Sequence, residues 1–162
     1  MDFKERIFSK LSEIPDPEIP VISIVELGVV RDVTELGPHA IEVVITPTYS
    51  GCPAMKQMED DVVTKLRENG FTDVKVKMVY SPAWTTDWLS EEAKLKLQKY
   101  GIAPPEETTS DKSFITGKHK AVTCPRCKSK TTSLVSQFGS TACKALYKCD
   151  ECLETFDYFK CI

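Results

Sequence analysis

The spacing of apolar residues predicts three helices. Apolar side chains recur every three or four positions in residues 2–14, about 53–69 and 91–100, which is typical of amphipathic helices. Prolines between residues 15 and 20 end the first helix, because proline lacks the amide N–H that a continuing helix needs. Ser90 is suited to cap the third helix, and Gly101 follows its last turn.

Three other stretches alternate between apolar and polar residues and predict strands: residues 29–36, 40–48 and 73–81. The element order therefore predicts an α+β fold, a small α-β-β-α-β-α sandwich, which we assign to residues 1–101. Residues 102–123 are poor in large apolar side chains and contain Pro-Pro-Glu-Glu, so we interpret them as a linker. Residues 124–162 remain as a separate C-terminal module.

Charge is divided unevenly along the 162 residues, whose net charge is −3. Residues 1–111 carry 12 basic and 20 acidic side chains, whereas residues 112–162 carry 9 and 4. The acidic first part argues against nucleic-acid binding, although the acid-free stretch from Lys112 to Lys148 is of the kind that contacts phosphates. No apolar run is long enough to span a membrane, and no apolar signal segment follows the charged start. We therefore expect a cytoplasmic protein.

Four of the seven cysteines form two C-x2-C pairs in the C-terminal module: Cys124, Cys127, Cys149 and Cys152. Two such pairs can turn four sulfurs toward one ion, and Zn²⁺ is the usual occupant of a tetrahedral four-sulfur site. The spacing predicts a structural zinc ribbon. An iron centre of the rubredoxin type and a redox pair are alternatives. Cys143, Cys161 and His119 are left over, and they fit buried or solvated residues as well as further ligands.

Cys52 is the only cysteine in the first 120 residues. We predict that it lies at the N-cap of the second helix, with Pro53 at the first helical position. There, free N–H groups and the helix dipole favour a thiolate. A reactive or ligating thiol and an inert buried one are both compatible with this position. Asp16 and Glu18, in Asp-Pro-Glu, can ligate a metal or orient a thiol, or form a solvated loop.

The stretches "DPEIPVISIVELGVV" and "VVITPTYSGCPAM" resemble the SufT-like (MIP-type) family of iron–sulfur assembly factors. The resemblance covers roughly residues 1–101. The family's marks fall on these residues: Asp16, Pro17, Glu18, Thr46, Thr48, Cys52 and Pro53. It implies that the Cys52 thiolate transiently holds iron or an iron–sulfur cluster, with Asp16 or Glu18 near it. One thiol is too few for stable cluster ligation, so either a homodimer supplies two or the cargo is bound incompletely.

The later stretches "SPAWTTDWLSEEAKLKLQKYGIAPP", "CPRCKS" and "FGSTACKALYKCDECLETFDYFKCI" make the chain similar, over its whole length, to the PaaD family of the bacterial phenylacetyl-CoA epoxidase system. Lys128 stands where a glycine often follows the first cysteine pair in that family. The tryptophans of the first stretch, Trp84 and Trp88, fit either an interface or a core.

This second resemblance implies an accessory or maturation role in aerobic phenylacetate breakdown, without catalysis by the chain itself. The implied partners are a di-iron oxygenase and a reductase carrying flavin and a [2Fe–2S] cluster. The alternative is a structural subunit that bridges oxygenase and reductase.

Overall fold

The computed structural model describes residues 1–106 and 121–160, which belong to two compact units, Met1–Trp84 and Thr85–Ile162. The elements of the first unit are α1 (Phe3–Leu11), β1 (Val30–Gly37), β2 (Ala40–Ile45), α2 (Ala54–Glu68) and β3 (Asp73–Met78). Those of the second are a 3₁₀ turn (Thr86–Trp88), α3 (Glu91–Tyr100), β4 (Ile102–Ala103), β5 (Thr132–Ser136), β6 (Lys144–Cys149) and β7 (Thr155–Phe159).

The two units together confirm the α+β class, and the first six main elements follow the predicted order. In the first unit, β2 lies centrally, antiparallel to β1 and parallel to β3. Helix α2 forms the crossover that a parallel pair requires. Ile41, Val43 and Ile45 of β2 are completely buried. The loop that follows β2 therefore begins at the end of a strand that is anchored in the core.

The N-terminal helix begins and packs as its sequence predicts. The side chain of Asp2 accepts the N–H of Glu5, and the side chain of Glu5 accepts the N–H of Asp2, which forms a capping box. Ile7 and Leu11 are buried on the face that points to the core. This leaves the other face of α1, with its charged residues, toward solvent.

The second unit contains a four-stranded sheet in the order β4-β7-β6-β5. Helix α3 has the predicted caps, because the hydroxyl of Ser90 accepts the N–H of Ala93 and Gly101 adopts a left-handed φ of 96°. Although we assigned α3 to the first domain, it packs against β4 and belongs to the second unit. Strand β4, inside the predicted linker, pairs with β7. The predicted boundaries at 101 and 123 remain predictions.

The described residues also bear on the expectation for Trp84, but not on those for His119 and Cys161. Trp84 is buried and its indole N–H donates to the carbonyl of Leu27 at 2.8 Å, so of its two alternatives the structure supports the core. His119 and Cys161 lie outside the described residues. Among the helices of residues 1–106 and 121–160, none combines the length and the apolar character needed to cross a membrane.

Candidate functional site

Cys52 lies in the tight loop that joins β2 to α2. Its N–H donates to the carbonyl of Tyr49 at 3.2 Å, and its own carbonyl accepts the N–H of Met55 at 3.3 Å. Gly51 adopts a φ of 80°, a left-handed conformation that glycine takes without strain. The N-cap of α2 is Pro53, so our placement of Cys52 at the N-cap is wrong by one residue. Cys52 still precedes the helix closely enough to meet its free N–H groups.

The surroundings of the Cys52 thiol raise its pKa. Burial is the largest cause, because the side chain is only 8% exposed and a buried thiolate loses hydration. The N–H of Ala54 lowers the pKa, as expected at a helix start, but does not offset the burial. The carboxylate of Glu18 raises it further. The helix start therefore favours the thiolate as expected, but burial has the larger effect, so the balance is toward the buried, protonated thiol that was the other alternative.

Hydroxyl groups of the same loop surround the sulfur. The side chains of Thr48 and Tyr49 hydrogen-bond to Cys52, and both lower its pKa. Thr46 is buried at the start of the loop, where its N–H donates to the carbonyl of Val29 at 2.9 Å and its hydroxyl donates to the carbonyl of Val79. Thr46 thus fastens the loop to the ends of the sheet, and Thr48 and Tyr49 line the thiol.

The Asp-Pro-Glu turn brings Glu18 to this loop. Asp16 is buried, and its Oδ1 atom accepts the N–H groups of Glu18 at 2.9 Å and Ile19 at 2.7 Å. Its own N–H donates to the carbonyl of Ile22 at 2.8 Å. Asp16 therefore organises the turn, while Glu18 is the acid whose charge acts on Cys52. The family resemblance implied that Asp16 or Glu18 lies near the thiol but could not distinguish these two roles.

The four cysteines of the second unit converge on one point. The sulfurs of Cys124 and Cys152 lie 3.8 Å apart, those of Cys127 and Cys149 lie 3.5 Å apart, and all four lie within 4.8 Å of one another. A Zn–S distance of about 2.3 Å gives a tetrahedron whose sulfurs are roughly 3.8 Å apart. The sulfur positions and the ligand chemistry therefore fit one zinc ion.

Each pair is closed by the same kind of turn. Lys128 follows Cys127 with a φ of 65°, and Leu153 follows Cys152 with a φ of 64°. Both values lie in the left-handed region, which bulky residues seldom adopt. Lys128 is the position after the first pair where we noted that glycine is common. The backbone at Lys128 adopts the left-handed conformation that glycine favours, and the four ligand sulfurs converge with lysine at this position.

Backbone N–H groups point at the ligand sulfurs. The N–H of Cys152, followed by that of Glu151, lowers the pKa of Cys149 to about 7. The N–H of Glu154 lowers the pKa of Cys152, but burial and the neighbouring cysteines together raise it to about 12. Such N–H donors favour thiolate, which is the form that binds a metal.

Cys143 lies apart from this cluster. It is buried, and its sulfur is 3.0 Å from the hydroxyl oxygen of Thr141. Within residues 1–106 and 121–160, the four ribbon cysteines are the only group of three or more metal-binding side chains. Cys143 therefore has the surroundings of a buried structural cysteine.

Comparison with known proteins gives two family matches. Residues 4–78 match the family model of the iron–sulfur cluster assembly protein, and residues 108–160 match that of the PaaD zinc beta ribbon domain. A crystal structure of a domain of unknown function, DUF59, from Bacillus anthracis is 32% identical with a TM-score of 0.55, covering 59% of this chain and 91% of that one. These matches agree with the fold of the first unit and the cysteine cluster of the second.

Two relatives complete the comparison. The Staphylococcus aureus (strain USA300) protein named Fe-S protein maturation auxiliary factor SufT is 41% identical over 51% of this chain and 93% of its own. An Escherichia coli (strain K12) protein named as a component of 1,2-phenylacetyl-CoA epoxidase is 51% identical over 96% of this chain and 92% of its own. The chain therefore belongs to the PaaD family of phenylacetyl-CoA epoxidase components.

Proposed function

We propose that this protein is an accessory subunit that helps to assemble or insert iron or an iron–sulfur cluster in a phenylacetyl-CoA epoxidase system. The names of the relatives support the role, since one is an epoxidase component and others are Fe–S maturation factors. One observation carries the proposal. The carboxylate of Glu18 acts on a buried thiol, Cys52, within the part of the chain that matches the iron–sulfur cluster assembly family.

Two potentially negative groups in a partly desolvated site favour a cation. The Glu18 carboxylate disfavours the Cys52 thiolate, and a cation between them would convert that repulsion into two attractions. Iron accepts both sulfur and carboxylate ligands, so it suits this pair as cargo. Because the Cys52 thiol has a raised pKa, it gives up a proton when the cargo binds.

In our proposal, this site supplies too few ligands to hold its cargo permanently. A stable iron–sulfur cluster generally has four protein ligands, and this loop offers one thiol and one neighbouring acid. The remaining ligands come from a second copy of the chain or from the recipient protein. Transfer is then a replacement of weak ligands by the complete set of the recipient.

The ribbon cysteines have a different role in this proposal. Cys124, Cys127, Cys149 and Cys152 hold one Zn²⁺, which closes the knuckles and stabilises the fold of the second unit. No open coordination position is needed for this role. We further propose that the partners are the di-iron oxygenase and its flavin and [2Fe–2S] reductase, in the reducing environment of the cytoplasm.

A structural subunit that bridges oxygenase and reductase is the second candidate. The low exposure of Cys52, at 8%, favours it, because a thiol so covered exchanges ligands only when its loop moves. This candidate needs the ribbon and the fold of the first unit but not the Cys52 sulfur.

The decisive experiment compares Cys52→Ala with Cys143→Ala in cells that produce the complete epoxidase. If the protein delivers iron, Cys52→Ala lowers the iron content of the purified oxygenase or reductase and the epoxidase activity together. Cys143→Ala, which also removes a buried thiol, leaves both unchanged. Full activity and full iron content with Cys52→Ala, in a complex that still assembles, would favour the bridging role instead.

Asp16 gives a second test of the same site. Asp16→Asn keeps an oxygen that can accept the N–H groups of Glu18 and Ile19, but it removes the charge. If Asp16 only organises the turn, this variant supports maturation nearly as well as the parent, whereas Glu18→Gln does not. A loss with Asp16→Asn equal to that with Glu18→Gln, in a folded protein, makes Asp16 a ligand.

A further inference from the structure

A cavity of about 420 Å³ lies in the first unit, at the end of α2 opposite to Cys52. It is bounded by α1, by the turn between β1 and β2, and by the residues that follow α2. Pockets for small molecules commonly have volumes of about 300–1,000 Å³. The cavity is therefore large enough for a small organic ligand.

The polar part of the lining is positively charged. Arg6 and Lys10 lie four residues apart on α1, so they project from the same face of the helix. Among the described residues, no acidic side chain lines the cavity. Lys10 has a long and exposed contact with Glu13, at 3.4 Å. Within the described parts of the chain, Arg6 has no ion pair, and its guanidinium lies 5.7 Å from the centre of the Phe3 ring.

The other walls are apolar and held in place. Ile7, Pro38 and Phe71 line the cavity, and Ile7 and Phe71 are anchored in the core. His39 Nδ1 lies 3.2 Å from the carbonyl oxygen of Gly70, which fixes the ring against the chain that follows α2. The turn between β1 and β2 is thus joined to the C-terminal end of α2. The apolar wall is therefore formed before any ligand enters.

The C-terminal end of α2 does not cancel this positive charge. The carbonyl of Leu66 accepts the N–H of Phe71 at 3.2 Å, and the carbonyl of Arg67 accepts the N–H of Gly70 at 3.1 Å. These hydrogen bonds satisfy carbonyls that would otherwise point negative charge outward at a helix end. The two cations of α1 therefore dominate the mouth of the cavity.

We propose that this cavity binds a small amphipathic anion, a carboxylate or phosphate monoester with an apolar body. The anionic head lies on Arg6 and Lys10, whose guanidinium and ammonium groups donate charge-assisted hydrogen bonds. The apolar body lies against the exposed Pro38, over a floor to which the buried side chains of Ile7 and Phe71 contribute their accessible edges. This binding does not depend on Cys52 or on the ribbon cysteines.

The test is an NMR titration of the full-length chain with three probes that share one apolar body: hexanoate, hexyl phosphate and hexanol. The two anions shift the amide signals of Ile7, His39 and Phe71, and hexanol does so at least about tenfold more weakly. The stronger of the two anions identifies the head group. Equal binding of hexanol would overturn the proposal, since it would show an apolar pocket without charge recognition.

Matched variants assign the binding to this cavity. The double variant Arg6→Gln and Lys10→Gln weakens binding of the anions by about tenfold or more. The control, Lys75→Gln and Lys77→Gln, removes the same charge from exposed positions on β3 and leaves binding unchanged. Equal weakening in both variants, or no shift with either anion at roughly 10 mM, would rule out the site. Thermal unfolding confirms that both variants fold.

Discussion

The carboxylate of Glu18 raises the pKa of the Cys52 thiol, although the two residues are separated by two strands in the sequence. The turn organised by Asp16 and the loop that starts at Thr46 make this relationship possible, because each is fixed by backbone hydrogen bonds. An acid and a thiol held together in this way are suited to bind a cation. Their coupling can be measured directly.

We predict that Glu18→Gln lowers the pKa of Cys52. Removing the carboxylate removes one of the two causes that raise it, but burial, the larger cause, remains. The midpoint of Cys52 alkylation, followed by peptide mass spectrometry across a pH series, therefore moves to lower pH. Glu68→Gln, at the far end of α2, is the control and leaves the midpoint in place. An unchanged midpoint in Glu18→Gln would contradict the coupling.

We expect the affinity of the Cys52 site for Fe(II) to increase with pH. The pKa of the thiol is raised above its ordinary value, so the thiol is protonated near neutrality and must release its proton to bind the metal. The affinity rises by about tenfold per pH unit below that pKa, since one proton leaves for each metal bound. Anaerobic titration of the zinc-loaded chain measures it. Cys52→Ala should abolish the pH-dependent component, and its persistence in that variant would place the binding elsewhere.

Replacing a ribbon cysteine should unfold the second unit locally. Cys149→Ser removes a buried ligand at the centre of the four-sulfur cluster, so we expect zinc content to fall from one ion per chain and the second unit to lose protection from proteolysis. Cys143→Ser is the matched control, since its sulfur contacts Thr141 and not the cluster. Zinc retained at full stoichiometry in Cys149→Ser would contradict the assignment.

Lys128→Gly should stabilise the second unit. Lys128 has a φ of 65°, and an L-residue in this conformation costs about 1 kcal/mol, which glycine avoids. Thermal unfolding of the zinc-loaded chain measures the gain. The same change at the neighbouring Lys130, which has no left-handed φ, should be neutral or destabilising. A loss of stability in Lys128→Gly would mean that the lysine side chain contributes more than the strain, for example through its contact with the carbonyl of Pro125.

Gly139→Ala should destabilise the ribbon by about 1–3 kcal/mol. A Cβ atom at this position would collide with Oδ1 of Asp157 and would lie 3.4 Å from backbone atoms of Lys144 and Ala145. Asp157 cannot move freely, because its Oδ2 accepts the hydroxyl of Ser140 at 2.9 Å. Thermal unfolding measures the effect.

The control for this prediction is Gly37→Ala in the other unit. There the nearest atom to the new Cβ is 3.8 Å away, an ordinary contact, and the φ of Gly37 is not left-handed. We expect little change. Equal losses in the two variants would show that the effect of Gly139→Ala comes from glycine replacement in general and not from Asp157.

Local patterns in the sequence were sufficient to predict the three α-helices, the three strands of the first unit and the four-sulfur cluster. Ser90 and Gly101 act as the predicted caps of α3, because a cap depends on the residues next to it. The association of α3 with β4, and of β4 with β7, could not be found in this way. A two-residue strand has no measurable alternation, and its partner lies more than fifty residues later in the chain.

In the candidate site, too, the local features could be predicted from the sequence and the features that depend on tertiary packing could not. Cys52 and Glu18 were predicted from residue type and family resemblance, but the sequence could not decide between a thiolate favoured by the helix end and a buried thiol whose pKa is raised. The helix end is a local feature, visible in the sequence. Burial of Cys52 depends on packing of the whole loop, which the sequence does not show. The hydroxyl of Tyr49 was missed for the same reason, since tyrosine in a loop gives no local signal of its contact.

The pairing of β4 with β7 decides where the chain can be divided for recombinant work. Ala93 and Leu97 of α3, and Ala103 of β4, are fully buried. A truncation after residue 101 would keep α3 but delete β4, against which it packs, and β7, which pairs with β4, leaving an uncovered apolar helix face that invites aggregation. A stop codon after Trp84 avoids this, because it follows the last residue of the first compact unit. We therefore expect a fragment that ends at Trp84, about seventeen residues before Gly101, to express as a more soluble protein than one that ends at residue 101.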